Sequence, residues 1–414
     1  MPDAPAQATP TPSHRRGRTW AMVAVIVVLV GALSARFIVV AAAGAPTATV
    51  SPLLTDSLTV AGHATMPTWP TEGEAAIGVP SLQVAAQSPT QHPVPIGSIT
   101  KLMTAWVILK DHPLEGEASG PSITVTPADV AAWHQDLATD QSNVAIASGE
   151  VLTERQLLEG LLIHSGNDYA QILAEFDSGS IDPFVAKMND EAAVLRLHAT
   201  HYADASGYSP LSVSTPADQI RLAATALENP IIKEIVARPS VTLPVAGTVA
   251  TYTPFDGVDG VIGVKSGLTT QAGGCDLLAI EPIIAGVRVL VLSAVTGQSG
   301  PNNLTRAGFD ALFLARQTAG QILDVPVATT VAPVGTVGWG SHTTALYATA
   351  PVRTPAWPGG VVHLTLALAE PRRRAIKAGA TLGSLEVISG SLFTSTPLEA
   401  ARSVSPPGFF ERVV

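Results

Sequence analysis

Two hydrophobic periods divide this chain, and their order limits the folds open to it. Between residue 95 and about residue 227 the apolar residues recur at helical spacing, in runs such as KLMTAWVILK, TERQLLEGLLI, DYAQILAEF, FVAKMNDEAAVLRL and ADQIRLAATAL. Past residue 257 the pattern changes to short apolar stretches at 258–264, 273–281 and 287–296, which read as consecutive strands, before 304–323 returns to helix. Strands that follow one another without intervening helices cannot build a mainly parallel sheet. The expectation is an α/β domain of the α+β kind, with an antiparallel sheet flanked by helices from the middle of the chain and from its later part.

Local signals place the element starts. Residues 75–94 alternate loosely and predict two short strands. Thr126 with Pro127, Asp182 with Pro183 and Thr215 with Pro216 each combine an N-cap with a proline that suits a first helical turn. Thr153 is followed three residues later by Gln156, the spacing of a capping box. The helix it opens stops at Ser165–Gly166–Asn167, and another begins at once, so this polar triplet is held between two packed helices. Lys265 is expected at the end of a strand.

With 414 residues, 46% hydrophobic and 14% charged, the chain can bury a large core and predicts two domains plus an appendage. Its formal charge of −10 argues against nucleic acid as a partner. Cys275 is the only cysteine, which excludes an intrachain disulfide and any multi-cysteine zinc site, and it reads as a buried strand residue. His198 and His201 lack a third ligand in an HExxH-like pattern, so no metal enters the reading.

Arg15, Arg16 and Arg18 precede a charge-free run from Trp20 to Ala35, and after Arg36 the apolar character resumes to Ala45. That arrangement exports the rest of the chain, as a transmembrane anchor or as a signal peptide cleaved among Ala41, Ala43 and Ala45. The expected division is a cytoplasmic tail with this segment at 1–45, a Pro- and Thr-rich linker at 46–72, a catalytic domain at 73–324 and a small all-β C-terminal domain at 325–405.

The chemistry is concentrated in PIGSITKLMTAWVILK, where Ser98 and Lys101 stand three residues apart and share a helical face. A serine hydroxyl must lose its proton to attack a carbonyl. Lys101 can accept it only when uncharged, which requires its pKa to fall by roughly 3 units, about 4 kcal/mol of bias. The chain holds six lysines, so potential partners are few: Lys265 lies in VIGVKSGLTTQAGG, while Ser165 and Asn167 lie in LLIHSGNDYA.

Taken in order, SITK at 98–101, SGN at 165–167 and KSG at 265–267 resemble the three-part signature of the penicillin-binding protein and serine β-lactamase superfamily. The flanking text, including FVAKMNDEAAVLRL and ASGYSP, resembles the exported serine D-alanyl-D-alanine carboxypeptidases, peptidases of the S11 type. The resemblance implies a β-lactamase/transpeptidase-like catalytic domain that trims the terminal D-Ala from peptidoglycan stem pentapeptides outside the cytoplasmic membrane. It implies Ser98 as nucleophile, Lys101 as base and Ser165 as proton relay. Asn167 and Lys265 would bind substrate, with Ser266 and Gly267 completing the third motif and the amides of Ser98 and Leu268 forming the oxyanion hole. A β-lactam would acylate Ser98 and remain attached. No cofactor is implied, since the three motifs supply nucleophile, base, proton donor and oxyanion donors once each.

Two departures stand out: Ser266 replaces the common threonine, and Leu268 replaces an aromatic or imidazole side chain. Arg306 is a candidate for the substrate carboxylate. A β-lactamase shares the acylation step, but no glutamate follows SGN where class A enzymes carry theirs. A non-catalytic cell-wall binding protein with the same fold is the alternative from another class. The segment from AIKAGATLGSLEV to TPLEAARSV resembles the β-rich C-terminal domain of many such carboxypeptidases.

Overall fold

The computed structural model describes residues 15–255, 257–258, 260–369 and 372–413, the side chains of 15–17 excepted. The tail expected at residues 1–14 lies outside the described residues. A single helix, α1 (Arg15–Ala43), opens the chain and runs unbroken through Arg36. Its stretch Arg18–Ala43 has a mean hydropathy of 2.7 and no buried residue in its most apolar window, although Phe37 meets Phe409 edge to face.

The segment expected to be a linker contributes two short strands. Strand β1 (Thr49–Pro52) pairs with Gly335–Trp339, and β2 (Ser57–Thr59) pairs with Val361–Leu368. Further on, Thr65 and Thr68 donate backbone N–H groups to Gln321 and Gln317, at 2.7 and 3.1 Å. Short strands, TVSP and SLT, with one half-buried side chain each carry no local signature. They exist because an exposed sheet edge supplies their hydrogen bonds.

The catalytic half is built on a five-stranded antiparallel sheet. Its order is Val261–Thr269, Gly273–Ile280, Val291–Gln298, β3 (Glu74–Val79) and β4 (Val84–Gln87). Both faces are covered, which explains why all six residues of β3 are buried. Ala76 joins one core with the helices of the middle of the chain, whereas Ala75 and Ile77 join another beneath the helix Asn303–Ala319, as the two-residue repeat of a strand demands.

The helices of the middle of the chain include α2 (Lys101–Asp111), α3 (Pro127–Ala138), α4 (Glu154–Leu162), α5 (Asn167–Ser178), α6 (Ile181–Val194) and α7 (Pro216–Ala226). The capping signals act as expected at Thr153, where Thr153 and Gln156 bond reciprocally, and at Thr126, where the partner is Asp129. Ser180 rather than Asp182 precedes α6. The stretch expected as one strand at 287–296 is split into a two-residue strand, Val287–Arg288, and Val291–Gln298.

The β-rich region forms a seven-stranded antiparallel sheet whose two edges are β1 and β2. Since only residues 53–56 separate those strands, the sheet must curl until its edges approach each other around a core that includes Leu346, Leu385 and Leu398. Its turn at Gly390 rests on the catalytic half, where Ser391 N donates to Ser81 O at 2.8 Å.

Candidate active site

Ser98 does not sit in the α-helix itself. Gly97–Thr100 forms one 3-10 turn that feeds directly into α2, of which Lys101 is the first residue. With three residues per turn, side chains at i and i+3 eclipse, which sets Lys101 beside Ser98 more directly than an α-helix would. The Lys101 amine lies 2.8 Å from Ser98 Oγ, 2.6 Å from Asn167 Oδ1 and 2.9 Å from the Ser206 carbonyl. Lys101 is 0% exposed.

Burial first, and the charge of Lys265 second, hold this amine well below the usual lysine range, while Asp204, Asp168 and Asp136 pull it the other way. Such an amine is a base at a pH where an exposed lysine is charged.

Lys265 is also fully buried, with its Nζ donating to the Ser266 carbonyl at 3.0 Å. It stands in the middle of the strand Val261–Thr269, not at its end. The text KSGLTT looks like a turn through glycine, yet pairing of Lys265 through Thr269 with Leu277 through Gly273 keeps the backbone extended. Gly267 is required there by close approach. A Cβ on it would lie 2.5 Å from Ile96 O and 3.0 Å from Ser98 N. The amides of Ser98 and Leu268 are thereby brought to adjacent strips of backbone, since a Cβ on Gly97 would in turn lie 3.1 Å from Leu268 N. Ser266 is 3% exposed and Leu268 is 51% exposed, the latter on the lip of the cleft.

Ser165, 3% exposed, occupies the turn between α4 and α5 with φ +62°. A left-handed conformation at a serine costs on the order of 1 kcal/mol and persists only where neighbours enforce it. They do so here: Gly166 N bonds to Gly160 O at 3.1 Å, and Asn167 N to Ser142 O at 2.9 Å. Asp168 accepts from Val144 N at 3.1 Å, and burial raises its carboxyl pKa to about 7.

The sequence reading did not single out the group that supports Lys101 from below. Asp204 accepts from Ser206 Oγ and Tyr208 N, at 2.8 and 2.9 Å, and from the Ser212 hydroxyl. It thus shapes the loop whose Ser206 carbonyl faces the amine. Gly207 follows at φ +81°, where a Cβ would fall 1.9 Å from the Gly97 carbonyl. An Asp followed by Ser, Gly and Ser is a loop signature, but nothing local says which side chain the loop serves.

Above these groups lies a cleft of about 570 Å³, with Asp140, Gln141 and Asn167 on one wall and Leu268 and Thr269 on the other. Ser98 lines it and Tyr208 borders it. Arg306 is absent from it: it pairs with Glu72 at 2.6 Å and lines a separate depression beside Thr68 and Trp69. The expectation that Arg306 binds a substrate carboxylate is therefore corrected. Cys275 is buried opposite Gly267, where burial pushes its thiol up to about 12.

A buried lysine set against a serine, with a second buried lysine on the neighbouring edge strand, defines a serine acyl-transfer enzyme of the penicillin-binding class. The chain belongs to the S11 peptidases, the D-alanyl-D-alanine carboxypeptidases, whose family model matches residues 74–291. It is 32% identical over 202 residues to the D-alanyl-D-alanine carboxypeptidase of Streptomyces sp. strain K15, covering 44% of this chain and 67% of that protein. To the D-alanyl-D-alanine carboxypeptidase DacB2 of Mycobacterium tuberculosis it is 32% identical over 219 residues, 51% of this chain and 71% of the relative. The solved structure of the Streptomyces K15 DD-transpeptidase superposes with a TM-score of 0.54 at 25% identity, over 62% of this chain and 100% of that one. Members of this family act on peptidoglycan stem peptides and bind β-lactams.

Proposed function

We propose that Ser98, Lys101 and Ser165 carry out cleavage of the terminal D-Ala from a peptidoglycan stem pentapeptide through an acyl-enzyme. Lys101 takes the Ser98 proton as Oγ attacks the carbonyl of the penultimate D-Ala. The resulting oxyanion is held by the backbone N–H groups of Ser98 and Leu268. Ser165 passes the proton to the departing nitrogen, and the C–N bond breaks. Water, deprotonated by the same amine, then attacks the ester and restores Ser98. Asn167 and Lys265 hold the substrate, Lys265 also keeping the neighbouring amine uncharged, while Ser266, Gly267 and Leu268 line its path.

The strand Val261–Thr269 lies at the edge of the five-stranded sheet, so an extended peptide can add alongside it. A β-lactam takes the first step and stays bound.

The observation that carries this reading is the fully buried Lys101 amine 2.8 Å from Ser98 Oγ. Its test is mass spectrometry of D-Ala release from a synthetic pentapeptide, with fluorescent penicillin labelling of the same samples. Wild type should release D-Ala and take the label; Ser98→Ala should do neither. Equal release by both proteins would remove the mechanism. Relatives include a DD-transpeptidase and a D-alanyl-D-alanine endopeptidase.

The remaining chain fits an enzyme working at the outer face of the cytoplasmic membrane. Twenty-six apolar-rich helical residues span about 39 Å at 1.5 Å each, more than the hydrocarbon core needs. Basic residues precede them, which favours an N-terminus in the cytoplasm. We assign α1 as a retained anchor, residues 73–324 as the catalytic unit, and 325–405 together with β1 and β2 as a β unit between the two. Intact mass of the membrane-bound protein tests the anchor: loss of about the first 43 to 45 residues would mark it as a cleaved signal.

A further inference from the structure

The two halves meet around a groove that acyl transfer does not use. It holds about 520 Å³ and lies between residues 82–84, at the start of β4, and residues 356–361 of the β unit, with Ser389 and Gly390 also lining it. Ligand sites of about 300–1,000 Å³ are common where two domains meet. β4 is the edge of the five-stranded sheet opposite Val261–Thr269, four strand spacings or about 19 Å away, and no residue of the groove lines the acyl-transfer cleft.

Backbone bonds fix its walls. Val60 N donates to Gly360 O at 2.9 Å, Gly359 N to Val60 O at 3.0 Å and Gly360 N to Trp357 O at 2.9 Å. Trp357 is half-buried against the core that includes Ile77 and Leu278, which leaves part of its indole on the groove. Gln83 lines the groove from the catalytic half, exposed and held left-handed at φ +57°. Glycine would make that turn without strain, so the turn itself does not call for a long side chain. His363 is exposed on its strand, whereas the Ser389 hydroxyl is already spent on Pro355 O at 2.7 Å.

Among the described residues, no hydrogen bond or ion pair engages the Gln83 amide, the Trp357 Nε1–H or the His363 ring, and no Asp, Glu, Lys or Arg lines the groove. An aromatic face with free polar groups and no charge to balance suits a ligand that is itself uncharged and rich in hydroxyl and amide groups. A free stem peptide fits poorly, because its carboxylates would find no cation here. An acetamido sugar fits each feature: the C–H face of its ring packs on an indole, and its hydroxyl and acetamido groups match a glutamine amide, an indole N–H and an imidazole. We propose that this groove binds the uncharged amino-sugar backbone of peptidoglycan, holding the enzyme on a glycan strand while the cleft works on a stem peptide. The choice of glycan rests on the reading of the enzyme as a peptidoglycan peptidase.

The test titrates the full-length protein, in detergent micelles, with tetra-N-acetylchitotetraose, an uncharged N-acetylglucosamine oligomer, by isothermal calorimetry before and after penicillin has blocked Ser98. Wild type should bind saturably and equally in both states, and adding salt to about 0.5 M should change little, because no charge is there to be screened. Trp357→Ala should weaken binding by about tenfold or more. Gln83→Gly should weaken it by about threefold to tenfold, the worth of one hydrogen bond. In that variant the strain relieved offsets the added chain entropy, so its thermal midpoint should stay near wild type. Both variants should keep the wild-type rate of penicillin labelling. No saturable binding by wild type, or wild-type affinity in Gln83→Gly, overturns the proposal, and so does binding that acylation abolishes, which would put the sugar in the cleft. Penicillin labelling judges the peptidase reading separately: an unlabelled wild type overturns that reading, while the sugar titration still accepts or rejects the groove.

Discussion

The two halves of this molecule are held together by different means. In the catalytic half, each functional group is positioned by residues close to it in sequence, and long-range packing then brings the motifs together: a 3-10 turn for Ser98, a forced turn for Ser165, a central strand position for Lys265. In the β-rich half, the sheet is finished by strands from the opposite end of the chain, β1 and β2, 283 to 289 residues away from their partners in the case of β1. Chemistry that depends on local spacing leaves a mark in sequence. Edge pairing that depends on what happens to be exposed nearby does not. One consequence is mechanical. The chain leaving α1 enters the β unit almost at once, with Pro46 O accepting from Trp339 Nε1 at 2.7 Å and Ala48 N donating to Arg372 O at 2.7 Å, so α1 is not joined through a free tether.

The largest effect that tests this contrast is expected from Lys101→Met. Removing a general base costs typically 10²- to 10⁴-fold, and acylation by penicillin should fall by about that factor. The thermal midpoint should hold or rise, because a buried amine is exchanged for an apolar side chain of similar length. A variant that loses stability in step with activity would instead make Lys101 a structural residue.

Gly207→Ala comes next. Both its φ of +81° and the approach to Gly97 O forbid a Cβ, so we expect a loss of about 2–4 kcal/mol in denaturant unfolding and slower acylation, as the Ser206 carbonyl is displaced from Lys101. Wild-type acylation with lowered stability would detach this loop from the site.

The smallest effect belongs to the other half. Trp339→Phe removes a single hydrogen bond to the segment leaving α1, and about 1 kcal/mol should be lost from the β unit while acylation rates stay within twofold. A tenfold change in acylation would show that the two halves are coupled more tightly than their contacts suggest.

Much of the catalytic half could be read in advance for reasons that are visible in particular residues. Thr153 and Gln156 announce a helix because their side chains satisfy amides that a helix start leaves bare. The meeting of Ser98, Lys101 and Asn167 is legible because their short motifs stand out in a chain with six lysines. Other features leave no side-chain pattern of their own. Lys265 was misplaced at a strand end because its strand is prolonged by pairing with Gly273–Ile280, while glycine and threonine on their own favour a turn. Asp204 escaped because its task is to shape a backbone carbonyl, which no side-chain pattern records. The strands in 46–72 escaped because their hydrogen bonds are owed to the far end of the chain.

The central claim is that Lys101 is uncharged when Ser98 attacks. A group whose folded pKa is depressed gains its neutral form above that value and loses it as pH falls through it, so the acylation rate should decline on the acid side only. The direct measurement is the second-order rate of covalent penicillin labelling between pH 5 and pH 10.5. The rate should reach its plateau well before the ordinary lysine pKa of about 10.4, with a midpoint clearly below it. A rate still climbing through pH 10, with its midpoint at the ordinary value, would contradict the account.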